Sequence, residues 1–320
     1  MSIRLSNLTY IATFSRRLSI PALIALVIGF LLSCKSNTSQ ILEDNKSSKP
    51  LVLTTFTVLA DISRNIAGDR LLVRSVTKQG VEIHGYKPTP SDLVKASKAD
   101  LIVENGLGLE LWAKDFIAAA GDVPKVVLTD GMKPIPISGD LYNGRPNPHA
   151  WMSPKRAQHY VDKLVQAFTL IDPNGKEMFI LNAEKYKSEL QKLDNELIAS
   201  LGSIPPEKRL LVSCEGAFSY LAEDYGMEEA YLWPVNAESQ VTPKRMLNLV
   251  RKIKEKKIPT IFCESTVSDK AQREVARISG TTFGGTFYVD SLSPANGPAS
   301  TFLDLQRHNV QLIRQGLAQN

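Results

Sequence analysis

The sequence lacks the signatures of several large classes of protein. Its 320 residues include only three cysteines, too few for a disulfide-rich scaffold. It contains no glycine-rich phosphate loop, no GxSxG motif and no HExxH motif, so the common marks of nucleotide-binding proteins, serine hydrolases and zinc proteases are missing. With 43% hydrophobic and 22% charged residues it has the composition of a globular protein. Its length suits about two domains of roughly 150 residues each.

The sequence has little excess positive charge outside its first 33 residues, although its net charge as a whole is +5. Arg4, Arg16 and Arg17 lie in residues 1–33, which contain no acidic residue. The remainder has 35 Lys and Arg against 33 Asp and Glu, a net charge of +2. A nearly neutral body lacks the basic surface that binds the phosphates of nucleic acid. The composition therefore argues against a nucleic-acid partner.

Residues 1–33 have the pattern of a signal peptide. A basic segment ending at Arg17 precedes an apolar run over 18–32, which is too short to span a bilayer comfortably as a helix. The run leads to Ser33 and Cys34, a junction that resembles the lipobox of bacterial lipoproteins. The resemblance implies cleavage before Cys34 and attachment of diacylglycerol to its sulfur. The alternative is an uncleaved short membrane anchor in which Cys34 is incidental.

The remaining chain divides by composition and periodicity. Residues 34–50 are polar and almost free of apolar side chains, which predicts a flexible tether. Beyond the tether, strand-like apolar runs alternate with helical patterns, which predicts parallel α/β structure. Apolar side chains at close to helical spacing predict one long helix over 173–201. We therefore expect an N-terminal α/β lobe over 51–172 and a C-terminal α/β lobe over 202–320, joined by this long, rigid helix.

Some element boundaries bear directly on function. Thr89, followed by Pro90 and by Asp92 at the third helical position, predicts a capped helix start. A helix is expected near 108–120. Strands are expected over RLLVS (209–213) and TFYVD (286–290).

Four polar residues fall in comparable places along this pattern. His84 and His149 lie in loops that follow strands or precede helix starts, and Glu215 and Asp290 fall at or just beyond the ends of strands in the second lobe. In open α/β sheets, ligands bind beyond the carboxyl ends of the strands. Two imidazoles and two carboxylates are thus placed to close around one cation in the cleft between the lobes. The other two histidines, His159 and His308, fall inside predicted helices and are expected on the surface or in packing.

Six segments together resemble one family, the cluster A-I solute-binding lipoproteins of transition-metal ABC transporters. Within it the chain is most similar to the manganese-binding lipoproteins, and the match covers nearly all residues from Cys34. The segments are HGYKPTPSD, NGLGLELW, NPHAWMSP, CEGAFSYLAEDYGM, IFCESTVSD and FGGTFYVDSLS. The chain departs from the family pattern at Glu82-Ile83, where Asp-Pro or a similar pair is common before the histidine, and at Asn147-Pro148, where Asp-Pro is common. Neither departure is expected to touch one of the four candidate ligands.

The resemblance implies a metal site made of His84, His149, Glu215 and Asp290. Zinc-binding members place a histidine where this chain has Glu215, and a carboxylate suits Mn²⁺ better than imidazole does. Zinc-binding members also often carry a long histidine-rich loop, whereas residues 130–148 contain no histidine. We therefore expect Mn²⁺, with Zn²⁺ binding possible in vitro because most sites prefer Zn²⁺ to Mn²⁺.

Cys214 and Cys263 each precede a glutamate, Glu215 and Glu264. Outside the cytoplasm these two cysteines can pair, and a disulfide closing a loop of about 49 residues would stabilise the fold by on the order of 4 kcal/mol. Two alternatives stay open: two buried free thiols, or Cys214 as a soft metal ligand that would favour Zn²⁺.

The sequence thus predicts a lipid-anchored protein on the extracytoplasmic (periplasmic) face of the membrane. It would deliver Mn²⁺ to the transmembrane permease subunit of an ABC importer and would not be an enzyme. Zinc uptake is the first alternative. A metallohydrolase is the second, and it would need an open coordination position and a nearby general base, for which Glu264 is the only spare carboxylate that the motifs suggest.

Overall fold

The computed structural model describes residues 49–138, 142–235 and 241–318. The predicted signal peptide, Cys34 and nearly all of the predicted tether lie outside the described residues. Among the helices that the structure describes, none combines the length and the apolar character needed to cross a membrane.

The first half of the described chain is built on one four-stranded parallel sheet with strand order β2-β1-β3-β4. Its strands are β1 (Leu51–Thr54), β2 (Leu72–Ser75), β3 (Leu101–Glu104) and β4 (Lys125–Val127). Its helices are α1 (Thr57–Ala67), α2 (Pro90–Ala96), α3 (Ala113–Ala120) and α4 (Pro154–Ile171). β3 is buried along its whole length, as expected for a parallel strand covered on both faces.

The second half has two parallel strand pairs, β5 with β6 and β7 with β8. The strands are β5 (Leu210–Glu215), β6 (Glu228–Trp233), β7 (Thr260–Glu264) and β8 (Thr282–Phe287). The helices are α6 (Ser219–Asp224), α7 (Pro243–Glu255), α8 (Lys270–Ser279) and α9 (Phe302–Leu317). The Cys214–Cys263 disulfide joins β5 to β7, with the two Cα atoms 4.8 Å apart, so the expected pairing is present.

One long helix, α5 (Lys176–Gly202), follows a short 3₁₀ turn and matches the helix expected over 173–201. Its 27 residues span about 40 Å at 1.5 Å per residue. It packs against α1 and α4 of the first half and against α9 of the second. Its buried face joins the hydrophobic cluster that holds side chains from both halves. The predicted fold class, α/β with parallel sheets and one long helix, is confirmed; the lobe boundaries stay predictions.

The helix start at Thr89 is confirmed, whereas two other boundaries differ from expectation. The Thr89 side chain accepts from the backbone N–H of Asp92, and the Asp92 carboxylate accepts from the N–H of Thr89, which is a complete capping box. The helix expected from 108 begins only at Ala113. Gly106, Leu107 and Gly108 all have positive φ, which a right-handed helix excludes.

The strand expected over 286–290 is wrong, because β8 runs over Thr282–Phe287 instead. Two glycines inside β8 lower the strand propensity of this segment, since glycine is depleted in strands. A Cβ on Gly284 would lie 2.2 Å from Cγ2 of Thr260 on β7, so only glycine lets the two strands approach this closely. Asp290 therefore lies in the loop after β8.

Candidate metal centre

His84 lies in the loop between β2 and α2, and this loop is fixed by its own neighbours. The Glu82 carboxylate accepts from the backbone N–H groups of His84 and Gly85, at 2.5 and 2.8 Å. The indole N–H of Trp112 donates to the carbonyl of Ile83 at 2.8 Å. The capping box at the start of α2 anchors the far end of the loop.

His149 begins a short 3₁₀ turn, Ala150–Met152, just before α4. The side-chain oxygen of Asn147 lies 3.0 Å from the backbone nitrogen of His149 and 2.9 Å from its ring Nδ1. The Trp151 ring packs 5.0 Å from the imidazole, and its indole N–H donates to the carbonyl of Val289 at 3.1 Å. The Asn147 amide and the Trp151 ring thus both contact the imidazole of His149.

Glu215 is the last residue of β5, two residues beyond the strand end expected from the sequence. Its backbone pairs with Trp233 on β6, and its N–H donates to the Glu264 carboxylate at 3.2 Å. The disulfide at the adjacent Cys214 ties this strand end to β7. Because both sulfurs are in the disulfide, Cys214 is not available as a soft ligand in this structure.

Asp290 is held by contacts from the first half of the chain to the residues that follow it. The backbone N–H of Leu292 donates to the Thr57 hydroxyl at 3.0 Å, and the N–H of Gly80 donates to the Ser291 hydroxyl at 2.7 Å. These bonds place the carboxylate opposite the two imidazoles, although no strand carries it.

The four predicted side chains meet in one buried cluster. Nε2 of His84 lies 3.2 Å from Oε1 of Glu215 and 3.9 Å from Oδ2 of Asp290, and Nε2 of His149 lies 3.7 Å from Oδ1 of Asp290. The four side chains are between 0 and 3% exposed. Among the described residues, Nε2 of His149 and Oδ1 of Asp290 have no hydrogen-bond partner. Buried polar atoms without partners are costly, and here several point at a common centre.

The electrostatics of the cluster separate the two histidines. Burial lowers the pKa of His84, but the Glu215 and Asp290 carboxylates outweigh it and raise that pKa to about 9. Burial lowers the pKa of His149 to about 3, against the opposing field of Glu215. Burial raises the pKa of Asp290 to about 7, although His84 opposes this shift. The cluster thus holds a proton on His84 and a neutral imidazole at His149.

Two donor types face each other, imidazole nitrogens from the first half and carboxylate oxygens from the second. Ligand atoms of His84, His149 and Asp290 lie within 4.8 Å of one another, a spacing suited to a single metal ion. Two anionic carboxylates would neutralise a dication in this dry setting and so reduce the cost of burying its charge. The site is therefore chemically suited to bind one divalent transition metal.

The other two histidines lie outside this cluster. Nε2 of His159 is 2.9 Å from the carbonyl of Asp130, and Nε2 of His308 is 3.0 Å from the carbonyl of Thr286. Both contacts are to the backbone, in keeping with the surface or packing positions expected for these two residues.

Asn147 and Glu82 are the site residues whose roles the sequence reasoning missed. Each lies two residues before a candidate histidine and hydrogen-bonds to it, so these departures from the family pattern both contact a candidate ligand. A signal was present: the same interval separates a polar side chain from His84 and from His149. Its meaning depends on backbone geometry that periodicity does not reveal.

Comparison with known proteins gives matches over nearly the whole chain. The family model for the periplasmic zinc-uptake complex component A, ZnuA, matches residues 52–316. The chain is 45% identical over 308 residues to the iron-binding protein YfeA of Yersinia pestis, covering 95% of this chain and 99% of that one. It is 32% identical over 301 residues to the manganese ABC transporter substrate-binding lipoprotein PsaA of Streptococcus pneumoniae, covering 92% and 96%.

A solved structure shares the fold. The Mn-bound periplasmic metal binding protein from Candidatus Liberibacter asiaticus superposes with a TM-score of 0.79 at 37% sequence identity, covering 84% of this chain and all of that one. The three named relatives thus carry two different metals in their names or descriptions, iron and manganese, and the family model carries a third, zinc, in its own.

Proposed function

This chain belongs to the ZnuA family, the metal-binding solute-binding proteins of ABC transporters, and we propose that its cargo is Mn²⁺. The ligands in this proposal are Nε2 of His84 and His149 and the carboxylates of Glu215 and Asp290. The observation that carries it is the pair of buried carboxylates opposite the two imidazoles.

The donor set favours Mn²⁺ on grounds of hardness and number. Carboxylate oxygens are hard, anionic ligands that suit Mn²⁺, whereas structural Zn²⁺ prefers four nitrogen or sulfur donors in a tetrahedron. If Glu215 and Asp290 each bind through both oxygens, the site offers six donors. Such a shell suits Mn²⁺ and is larger than tetrahedral Zn²⁺ requires.

Two similarities support the same cargo. The name of the S. pneumoniae relative describes a manganese transporter component, and the solved structure from Candidatus Liberibacter asiaticus is described as Mn-bound. The sequence between Asp130 and Pro148 also lacks the histidines that would accompany a zinc-handling loop.

Iron is the second candidate cargo, because the relative at 45% identity is named as iron-binding. Fe²⁺ follows Mn²⁺ directly in the affinity series of divalent metals and is bound by the same ligand types. Zn²⁺ remains the alternative that the family model's name suggests. The competing cargoes therefore differ in metal and share one site.

The proposal places the protein at the extracytoplasmic face of the membrane, anchored through lipid on Cys34, where it hands its metal to the permease of an ABC importer. The lipoprotein name of the S. pneumoniae relative supports the anchor. A role in transport also accounts for the closed site, since four protein ligands leave little room for the open position that a metallohydrolase needs.

Calorimetric titration of chelator-stripped protein lacking residues 1–34 tests the cargo. Mn²⁺, Zn²⁺ and, under anaerobic conditions, Fe²⁺ are each titrated into wild type and into Glu215→His. Glu223→His is the matched control, since Glu223 is 59% exposed and lies outside the cluster. We expect one equivalent of Mn²⁺ on wild type and on the control. The Glu215→His variant should lose Mn²⁺ affinity by about 100-fold or more and keep Zn²⁺, because a buried anion that pairs with the dication is gone.

Two outcomes would reject manganese. If wild type binds one Zn²⁺ and no Mn²⁺, the protein is a zinc carrier. If wild type binds Fe²⁺ at one equivalent and ignores Mn²⁺, iron is the cargo. Uptake of radioactive Mn²⁺ by cells that carry wild type or Glu215→His in place of the native gene then tests delivery, and equal uptake by both strains would contradict the proposal.

A further inference from the structure

Asn147 uses all of its side-chain hydrogen-bonding capacity although it is only 1% exposed. Its Oδ1 lies 3.0 Å from the backbone nitrogen of His149 and 2.9 Å from ring Nδ1 of the same residue. Its Nδ2 donates to the carbonyl of Gly216 at 2.6 Å and to the hydroxyl of Ser219 at 3.1 Å. An amide has two donors and two acceptor lone pairs, so each is matched.

These bonds fix which way round the amide lies. The backbone N–H of His149 can only donate, so the atom facing it has to be the oxygen. On the other side, the Gly216 carbonyl can only accept, so the atom facing it has to be the nitrogen. A flipped amide would set donor against donor and acceptor against acceptor in a buried place, which costs free energy at both ends.

The orientation of the amide in turn fixes the proton on His149. Because Oδ1 of Asn147 is an acceptor, the ring nitrogen 2.9 Å from it must carry the hydrogen, so neutral His149 is protonated on Nδ1. Its Nε2 then bears the lone pair and lies 3.7 Å from Oδ1 of Asp290. A lone pair on Nε2 is what a metal at the cluster requires.

The second half of the chain keeps the amide in place. The Ser219 hydroxyl donates its only proton to the Glu229 carboxylate at 2.6 Å and so must accept from Asn147. The backbone N–H of Phe218 donates to the other oxygen of Glu229 at 2.7 Å. A chain of bonds therefore runs from Glu229 on β6 through Ser219 and Asn147 to His149.

We propose that Asn147 is a positioning residue that sets the Nδ1–H tautomer of His149 and ties it to the Gly216–Ser219 segment of the opposite half. The part concerning metal affinity rests on the proposed function, whereas the tautomer is a property of the metal-free protein. Outer partners of metal-bound histidines act in this way, by fixing the tautomer and ring orientation.

Two variants distinguish the role of the amide oxygen, which faces His149, from the role of the amide nitrogen, which faces the second half. Asn147→Asp keeps an acceptor for the ring and the backbone N–H but loses both donors to the second half. Asn147→Leu has similar bulk and loses all four side-chain hydrogen bonds of Asn147. Asn182→Leu is the matched control, because Asn182 donates to the carbonyl of Ile66 away from the cluster.

Long-range proton–nitrogen NMR spectra of ¹⁵N-labelled, metal-free protein near neutral pH report the tautomer of each histidine. The His149 signals are those that vanish in His149→Gln. We expect the Nδ1–H form in wild type, in Asn147→Asp and in Asn182→Leu, and a mixture or the Nε2–H form in Asn147→Leu. An Nε2–H form in wild type, or an unchanged Nδ1–H form in Asn147→Leu, would overturn the proposal.

Metal titration of the same proteins completes the test. Asn147→Leu should bind Mn²⁺ about 10–100-fold more weakly than wild type, with Asn147→Asp between the two and Asn182→Leu unchanged. Wild-type affinity in Asn147→Leu would contradict the positioning role. Failure of wild type to bind Mn²⁺ would reject the proposed cargo and leave the tautomer result standing, so the two failures are distinct. Circular dichroism and thermal melting confirm that each variant is folded.

Discussion

The two halves of the molecule supply different ligands and are held together by different means. The described part of the first half has one continuous four-stranded ladder, contains no cysteine among its residues from 49 onward, and presents two histidines from loops. The second half has two separate strand pairs, joined by the Cys214–Cys263 disulfide, and presents two carboxylates. In the second half a covalent link thus joins the two strand pairs, beside the strand end that carries Glu215.

The chemical difference between the halves predicts opposite metal preferences for their ligands. Asp290→Asn keeps an oxygen donor but removes a buried anion, so Mn²⁺ binding should weaken by about 3–5 kcal/mol, more than Zn²⁺ binding does. His149→Gln should instead weaken Zn²⁺ binding more than Mn²⁺ binding, because imidazole suits zinc. Competition with a metal-binding dye measures the Mn²⁺ and Zn²⁺ affinities of each variant. If each variant weakens the affinities for Mn²⁺ and Zn²⁺ by equal amounts, the proposed difference between the two halves is wrong.

The structural difference predicts that only the second half depends on a covalent link. A Cys214→Ala/Cys263→Ala variant should lose about 4 kcal/mol of unfolding free energy, the loop-closure contribution expected for a separation of 49 residues. Denaturant unfolding of the metal-free protein measures the loss. Reduced wild type, which lacks the same disulfide, should lose a similar amount. A variant as stable as oxidised wild type would show that the strand pairs need no disulfide.

The two histidines should differ in the protons they release. The pKa of His84 is raised to about 9, so at neutral pH a metal must displace its proton, whereas the pKa of His149, lowered to about 3, leaves no proton to displace. Mn²⁺ affinity should therefore rise about tenfold, or 1.4 kcal/mol, per pH unit between pH of about 7 and 9, the effect of one proton. Below about 7 the slope should steepen, because the pKa of Asp290 is raised to about 7.

Titration in buffers of different ionisation enthalpy counts these protons. One proton released per Mn²⁺ near pH of about 8 is the expected result. Two protons released at that pH, or none, would contradict the assignment of different states to His84 and His149.

The smallest predicted difference concerns helix caps. Thr89 in the first half takes part in a complete capping box, whereas the Thr242 side chain only accepts from the N–H of Arg245 at 3.3 Å. Thr89→Ala should cost about 1–2 kcal/mol of stability and Thr242→Ala about 0.5 kcal/mol. Thermal unfolding of the two variants ranks the costs, and the reverse order would contradict the comparison.

The sequence predicted the parallel α/β fold, the long helix and the candidate ligand set, because these depend on periodicity and on motifs that stand within short segments. It misplaced the last strand, since Gly284 lowers the strand signal where β8 must approach Thr260. It also missed the start of α3, where Gly106 and its neighbours take positive φ. Local composition does not encode such close approaches and turns.

The contacts of the site were harder to predict than its members. Asn147 and Glu82 are adjacent to the candidate ligands in sequence, yet their roles depend on how the loop backbone turns. The anchoring of the Asp290 loop involves Thr57, more than two hundred residues away in the chain. Interactions of this range follow from the tertiary fold and cannot be inferred from spacing.

A crystal of the protein loaded with Mn²⁺ alone, measured on both sides of the manganese absorption edge, tests the central claim most directly. The account predicts a single anomalous peak bound by Nε2 of His84, Nε2 of His149 and the carboxylates of Glu215 and Asp290. A peak at another place, or a peak in the cluster that either carboxylate fails to contact, would contradict it.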